Sequence, residues 1–210
     1  MNSILFWIHM TFVPVFGWSQ CAKMLTSTQG VSVSMFALAA AFTGLQTWLA
    51  CSAYRHKPVW ATMQVVIIYV FGVIVYGAMI VIAFAKGAYV WTMSDNIAVI
   101  ASLTLGGLVV QVAHLKKLPW YDPIVKGWIN VAVRTVPNLA MAHKIWTCGS
   151  GGVSATFVVV FNALTLMRIA QVILTSIKLG EWDRNRKGLI IGEIGNELTW
   201  LIVTIIWLLV

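Results

Sequence analysis

Seven apolar blocks separated by brief polar breaks constrain this chain more than any other feature of its sequence. A helix needs about 20 apolar residues to cross a hydrocarbon core of about 30 Å. The blocks predict spans over residues 4 to 22, 32 to 52, 59 to 85, 91 to 114, 124 to 146, 153 to 178 and 188 to 210. The expected fold class is therefore an all-α membrane protein with seven transmembrane helices. Composition agrees: 60% of the 210 residues are hydrophobic and 10% are charged, against about 25% charged in soluble domains. A membrane β-barrel would show alternating segments of about ten residues, and the sequence has none.

The formal net charge of +8 does not indicate a nucleic-acid partner, because the basic residues fall in the breaks rather than along one stripe. They concentrate in alternate breaks. Arg55 and Lys57, then Lys116, Lys117 and Lys126, then Lys178, Arg184, Arg186 and Lys187 lie on one side, and Lys23, Lys86 and Lys144 on the other. The positive-inside bias then predicts a cytoplasmic amino terminus in a multi-pass protein of the plasma or inner membrane. The first block has no basic residue before it and no small-x-small pattern at Phe16 to Gln20, so it reads as a retained helix rather than a cleaved signal. Cys21, Cys51 and Cys148 are isolated and carry no metal-ligand spacing, so neither a metal nor a cofactor is expected.

The chain contains an internal repeat. Residues 27 to 32 read STQGVS and residues 149 to 154 read GSGGVS, each following a span that carries a proline. Pro14 and Gln20 precede the first copy, and the adjacent Pro137 and Asn138 precede the second. The third span of each half begins after a basic break and carries a carboxamide, Gln64 in one and Asn196 in the other. Residues 1–88 and 119–210 are thus expected to form two like-ordered three-helix repeats, joined by a linker helix within 89–118. An odd number of linking helices gives both repeats the same orientation.

This pattern resembles the PQ-loop and SWEET superfamily of seven-helix transporters, whose halves each carry a proline-glutamine pair followed by a serine- and glycine-bearing turn. The resemblance implies a 3+1+3 arrangement and carriage of a small polar solute. It also implies that Gln64 and Asn196 face that solute and that Trp48 and Trp200 stack on a sugar or heterocycle. Proline inside a span removes a backbone donor and kinks the helix, so Pro14, Gln20, Pro137 and Asn138 are candidate hinge residues; a fixed kink that suits the packing is the alternative.

Ionisable residues inside a span cost about 2.5 to 3.5 kcal/mol each on insertion scales and default to pathway roles. Arg134, Arg168, Glu193 and Glu197 are such residues, and with Asn196 they are expected to form a cluster at mid-depth in the second repeat. A structural ion pair locking three helices is the competing explanation. Gly72, Gly77, Gly106 and Gly107 are expected to allow close helix contact. Most of the 11 tryptophans fall near span ends and suit an interfacial belt.

Three function classes follow. The leading one is a transporter that moves a sugar, a nucleoside or vitamin, or an amino acid by alternating access, with or without a coupled proton. The second is a ligand-binding receptor or sorting protein of the same fold. An enzyme is not expected, since the sequence has no HExxH, no GxSxG and no loop large enough for a catalytic centre. The expected partners are a small solute, the lipid bilayer and, as an open alternative, further copies of the chain.

Overall fold

A computed structural model describes residues 3–56, 58, 60–86 and 91–210. Among them the regular elements are all helices: α1 Ser3–Thr26, α2 Val33–His56, α3 Trp60–Ala85, α4 Met93–Leu115, α5 Pro123–Cys148, α6 Ala155–Leu179 and α7 Arg184–Leu209. The ends have local causes. Asp122, Ser154 and Asp183 cap α5, α6 and α7 by accepting from backbone N–H groups inside the first turn. Pro123 opens α5, where its missing N–H costs nothing. Gly180 closes α6 at φ 67°, a left-handed conformation that glycine adopts without strain.

Four helices hold stretches long and apolar enough to cross a bilayer: Val66–Ala85, Met93–Leu115, Ala155–Leu174 and Arg186–Leu209. The other three expected spans do not reach that measure among the described residues. For α5 the reason is plain, since it carries Lys126, Asn130, Arg134, Asn138 and Lys144. The exteriors of the apolar helices are greasy, with Ile97, Ile100, Leu103 and Leu108 exposed on α4 and Leu198, Ile202, Ile205 and Leu209 exposed on α7. The opposite face of α7 buries Asn196, Glu197 and Trp200. Polar groups inside and hydrocarbon outside invert the pattern of a water-soluble bundle.

The helix α3 packs between α1 and α2, and α7 packs between α5 and α6. The two groups meet where α1 touches α6 and α2 touches α5, while α4 lies against α5 and α2. Lipid offers apolar helices no hydrophobic reason to associate, so close packing and hydrogen bonds must hold them. The tightest seam joins α5 and α7. A Cβ on Gly188 would stand 2.0 Å from the Pro123 carbonyl oxygen, and one on Gly127 would stand 2.3 Å from the Gly188 oxygen. Further along, Gly192 abuts the Asn130 side chain and Gly195 the Val131 side chain, so the backbones touch at the Gly127–Gly188 crossing and small residues continue the seam. This corrects the glycine expectation: Gly77, Gly106 and Gly107 have nothing within 4 Å, and of those four only Gly72 makes a close approach, to Thr43.

Candidate functional site

Where the two groups of helices meet, a cavity of about 10 Å³ is lined by residues of five helices. Met35 and Ala39 come from α2, Tyr76 from α3, Arg134, Pro137 and Asn138 from α5, Phe161 from α6, and Asn196 and Trp200 from α7. About 10–15 Å³ is the least that holds one water, so no solute larger than that enters without the walls parting. A larger groove of about 520 Å³, with Lys23, Ser150 and Trp207 on its walls, is open to the outside and holds none of the expected site residues.

One wall of the cavity is a hydrogen-bonded amide pair. Asn138 Nδ2 donates to Thr199 Oγ1 at 2.9 Å and to Asn196 Oδ1 at 3.3 Å. The Thr199 hydroxyl in turn donates to the Asn196 carbonyl at 2.9 Å. Asn196 is 1% exposed, and its Nδ2 has no protein partner. Arg134 sets its guanidinium 5.3 Å from the centre of the Phe42 ring, an attraction between a cation and a π face. Its Nε is buried and likewise has no partner. One turn along α7 the lining becomes aromatic. Trp200 lies 4.4 Å from Phe161 and 5.3 Å from Phe157, centre to centre, and Phe157 continues to Phe16 and Phe36. Each such ring pair contributes about 0.5–1.5 kcal/mol beyond its buried area.

Beyond the aromatic residues, the end of the bundle that holds the turns at 27–32 and 149–154 is fastened by polar contacts. Gln20, fully buried, donates through Nε2 to the Gly152 carbonyl at 2.8 Å and accepts from the Ser154 N–H at 2.9 Å. The Gly152 N–H donates to the Gln29 carbonyl at 2.9 Å. Beside them Lys144 Nζ lies 2.5 Å from Asp95 Oδ2. Ser34 and Ser32 donate to Asp95 Oδ1 at 2.6 and 3.1 Å, and the Thr92 N–H and hydroxyl donate to Oδ2 at 3.0 and 2.9 Å. Three helices, α2, α4 and α5, thus converge on one buried carboxylate. At the opposite end Arg184 Nε donates to Asp122 Oδ2 at 2.6 Å. That bond holds the Asp122 carboxyl below the usual carboxylate range, against the opposing effect of desolvation.

Among the expected site residues, Arg134, Pro137, Asn138, Asn196 and Trp200 share the cavity. Glu197 is buried next to Asn196, and Glu193 is half-buried one turn away; neither lines the cavity, and neither is without a partner. The side chain of Arg168 lies outside the described residues. Gln64 is buried, with an unpartnered Nε2, but does not line the cavity. It stands four residues into α3 where Asn196 stands twelve into α7, an offset of about 12 Å at 1.5 Å per residue. Trp48 does not line the cavity: it is 60% exposed and stacks on Trp120 at 5.9 Å, on the outside of the bundle. Trp200, by contrast, is the one buried tryptophan among the described residues. Pro14 is half-buried within α1, and Gln20 acts at the turns rather than at mid-span.

The sequence reading did not single out the buried pair of Lys144 and Asp95, nor the cavity residues Met35, Tyr76 and Phe161. Lys144, read as a charge of the fifth break, lies inside α5 and is buried. Asp95 had a legible signal, since Thr92 and Asp95 have the spacing of a capping box at the start of α4. No protein-family model, no curated protein and no solved structure matches the chain.

Proposed function

We propose that this chain is a seven-span membrane carrier for a small polar solute, working by alternating access between two three-helix repeats joined by α4. The observation that carries the reading is the cavity between the two groups of helices, lined by Arg134, Asn138 and Asn196, with polar atoms that the protein itself leaves unpartnered. Polar groups at such depth are retained where they serve a pathway. The packing supports a repeat: exchanging α1 with α5 and α2 with α6 turns the α1 to α6 contact into the α2 to α5 contact. The helices that fall short in apolarity are long enough, since 24 to 26 residues in α1, α2 and α5 rise by more than about 35 Å. On this reading the molecule is fastened at the end holding the two turns, and transport requires the Gln20 and Asp95 contacts to part while the far end closes. The charge bias supports a cytoplasmic amino terminus, and the STQGVS and GSGGVS turns support kinship with the PQ-loop and SWEET superfamily.

The test is uptake into proteoliposomes of a panel of sugars, nucleosides and amino acids, with and without a pH gradient. Saturable flux of one class supports a carrier, and dependence on the gradient supports proton coupling. Binding without flux across the whole panel would point instead to a receptor or sorting protein. Glu197→Gln is expected to abolish flux while leaving folded yield unchanged; loss of folding alone would make Glu197 a structural residue.

A further inference from the structure

Chemistry at the cavity narrows the class of solute. Arg134 is a permanent cation at mid-depth, and among the described residues it has no carboxylate within ion-pair distance; its recorded contact is the Phe42 ring. Asn196 stands with its side-chain oxygen toward Asn138 Nδ2 and its NH2 turned away from that bond. Two fully buried side-chain atoms of the lining residues lack a partner, Arg134 Nε and Asn196 Nδ2, and in this arrangement both are donors. A hydroxyl-rich solute donates as often as it accepts, so it would need acceptors that these atoms do not supply. Two donors, one of them cationic, suit an anion with two acceptor oxygens. Tyr76, Phe161 and Trp200 supply ring faces against which a flat apolar body packs.

We infer that this site, once its walls part, recognises a small planar ring bearing a carboxylate, with the carboxylate on Arg134 and Asn196 and the ring against Trp200, Phe161 and Tyr76. The inference rests on the cavity being the solute site, as the carrier reading has it, but not on translocation. The probes are benzoate, benzamide and glucose, titrated calorimetrically into the purified full-length protein near pH 8. Benzoate is expected to bind at least about tenfold more tightly than benzamide, and glucose not at all. Arg134→Gln is expected to bring the benzoate to benzamide ratio close to one, and Arg134→Lys to restore part of it. Should Arg134→Gln fail to fold, the ratio in the unaltered protein decides. Equal affinity for benzoate and benzamide, binding of glucose in preference to benzoate, or an unchanged ratio in folded Arg134→Gln would each overturn the assignment. Benzoate bound but not moved across proteoliposomes would overturn the carrier reading alone. Glucose moved while benzoate is ignored would overturn the solute class alone.

Discussion

Lys144→Met should destabilise the folded protein by about 3 kcal/mol. The substitution removes the ammonium 2.5 Å from Asp95 Oδ2 while keeping an unbranched stem of similar length, and both partners are buried. Stripping one partner from a buried pair costs about 3–5 kcal/mol, because the other charge is left uncompensated. Asp95 would still accept from Ser32, Ser34 and the Thr92 N–H and hydroxyl; hydrogen bonds to a charged group contribute about 1.5–3 kcal/mol each, so the loss should fall at the lower end of that range. Asp95→Asn should cost a similar amount for the converse reason, since it buries Lys144 without its anion. The double variant Asp95→Asn with Lys144→Met removes both charges and should recover about half of the summed losses, a coupling of about 3 kcal/mol. Reversible unfolding in mixed micelles near neutral pH measures all three. If Lys144→Met lay within about 0.5 kcal/mol of the parent, or if the two single losses simply added, the account of the Asp95 network would be wrong.

The α5 to α7 seam gives a second expectation: Gly188→Ala should lower stability by about 1–3 kcal/mol through overpacking, because its Cβ would meet the Pro123 oxygen at 2.0 Å. Gly106→Ala, with nothing within 4 Å, should be neutral or better in thermal unfolding in detergent. Gln20→Leu strands the Gly152 carbonyl and the Ser154 N–H, and a loss of about 2–3 kcal/mol in the same assay is expected; no measurable loss would mean that the two turns are held by other contacts. Asp122 supplies the pH test. Its carboxyl is held low by Arg184, so its stabilising effect is present above the unfolded value of about 3.9 and is lost as pH falls through the lower folded value. Asp122→Asn should therefore be less stable than the parent near neutrality, with the gap closing below about pH 4; a gap constant across the acid range would refute the assignment.

The helical elements were legible because hydrocarbon imposes a length and a composition that few other environments demand. Boundaries moved by a few residues where a cap decided them, as when α7 began at Arg184 behind Asp183 rather than at Gly188. The cavity was half legible. Arg134, Asn138, Asn196 and Trp200 stood out as polar or amphipathic groups in apolar surroundings, and the fold brings them together. Tyr76, Phe161 and Met35 did not stand out, since an aromatic or thioether side chain in a greasy helix carries no mark of which face it occupies. Trp48 misled for the same reason, because an indole suits the bilayer interface as well as a binding wall. The glycine seam was missed because Gly127, Gly188, Gly192 and Gly195 lie in the most polar helices, where attention falls on charge.

Contact between the backbones of α5 and α7 also sets how unevenly the molecule deforms. At the Gly127–Gly188 crossing α5 and α7 leave no gap between main chains and are tied as one strut, whereas the close approach of α3 to α2 at Gly72 is to the Thr43 side chain. Side chains yield by changing rotamer; main chains in contact have no such slack. Bending imposed on the bundle therefore collects in the amino-terminal half, and the carboxyl-terminal half acts as the anvil against which the other works.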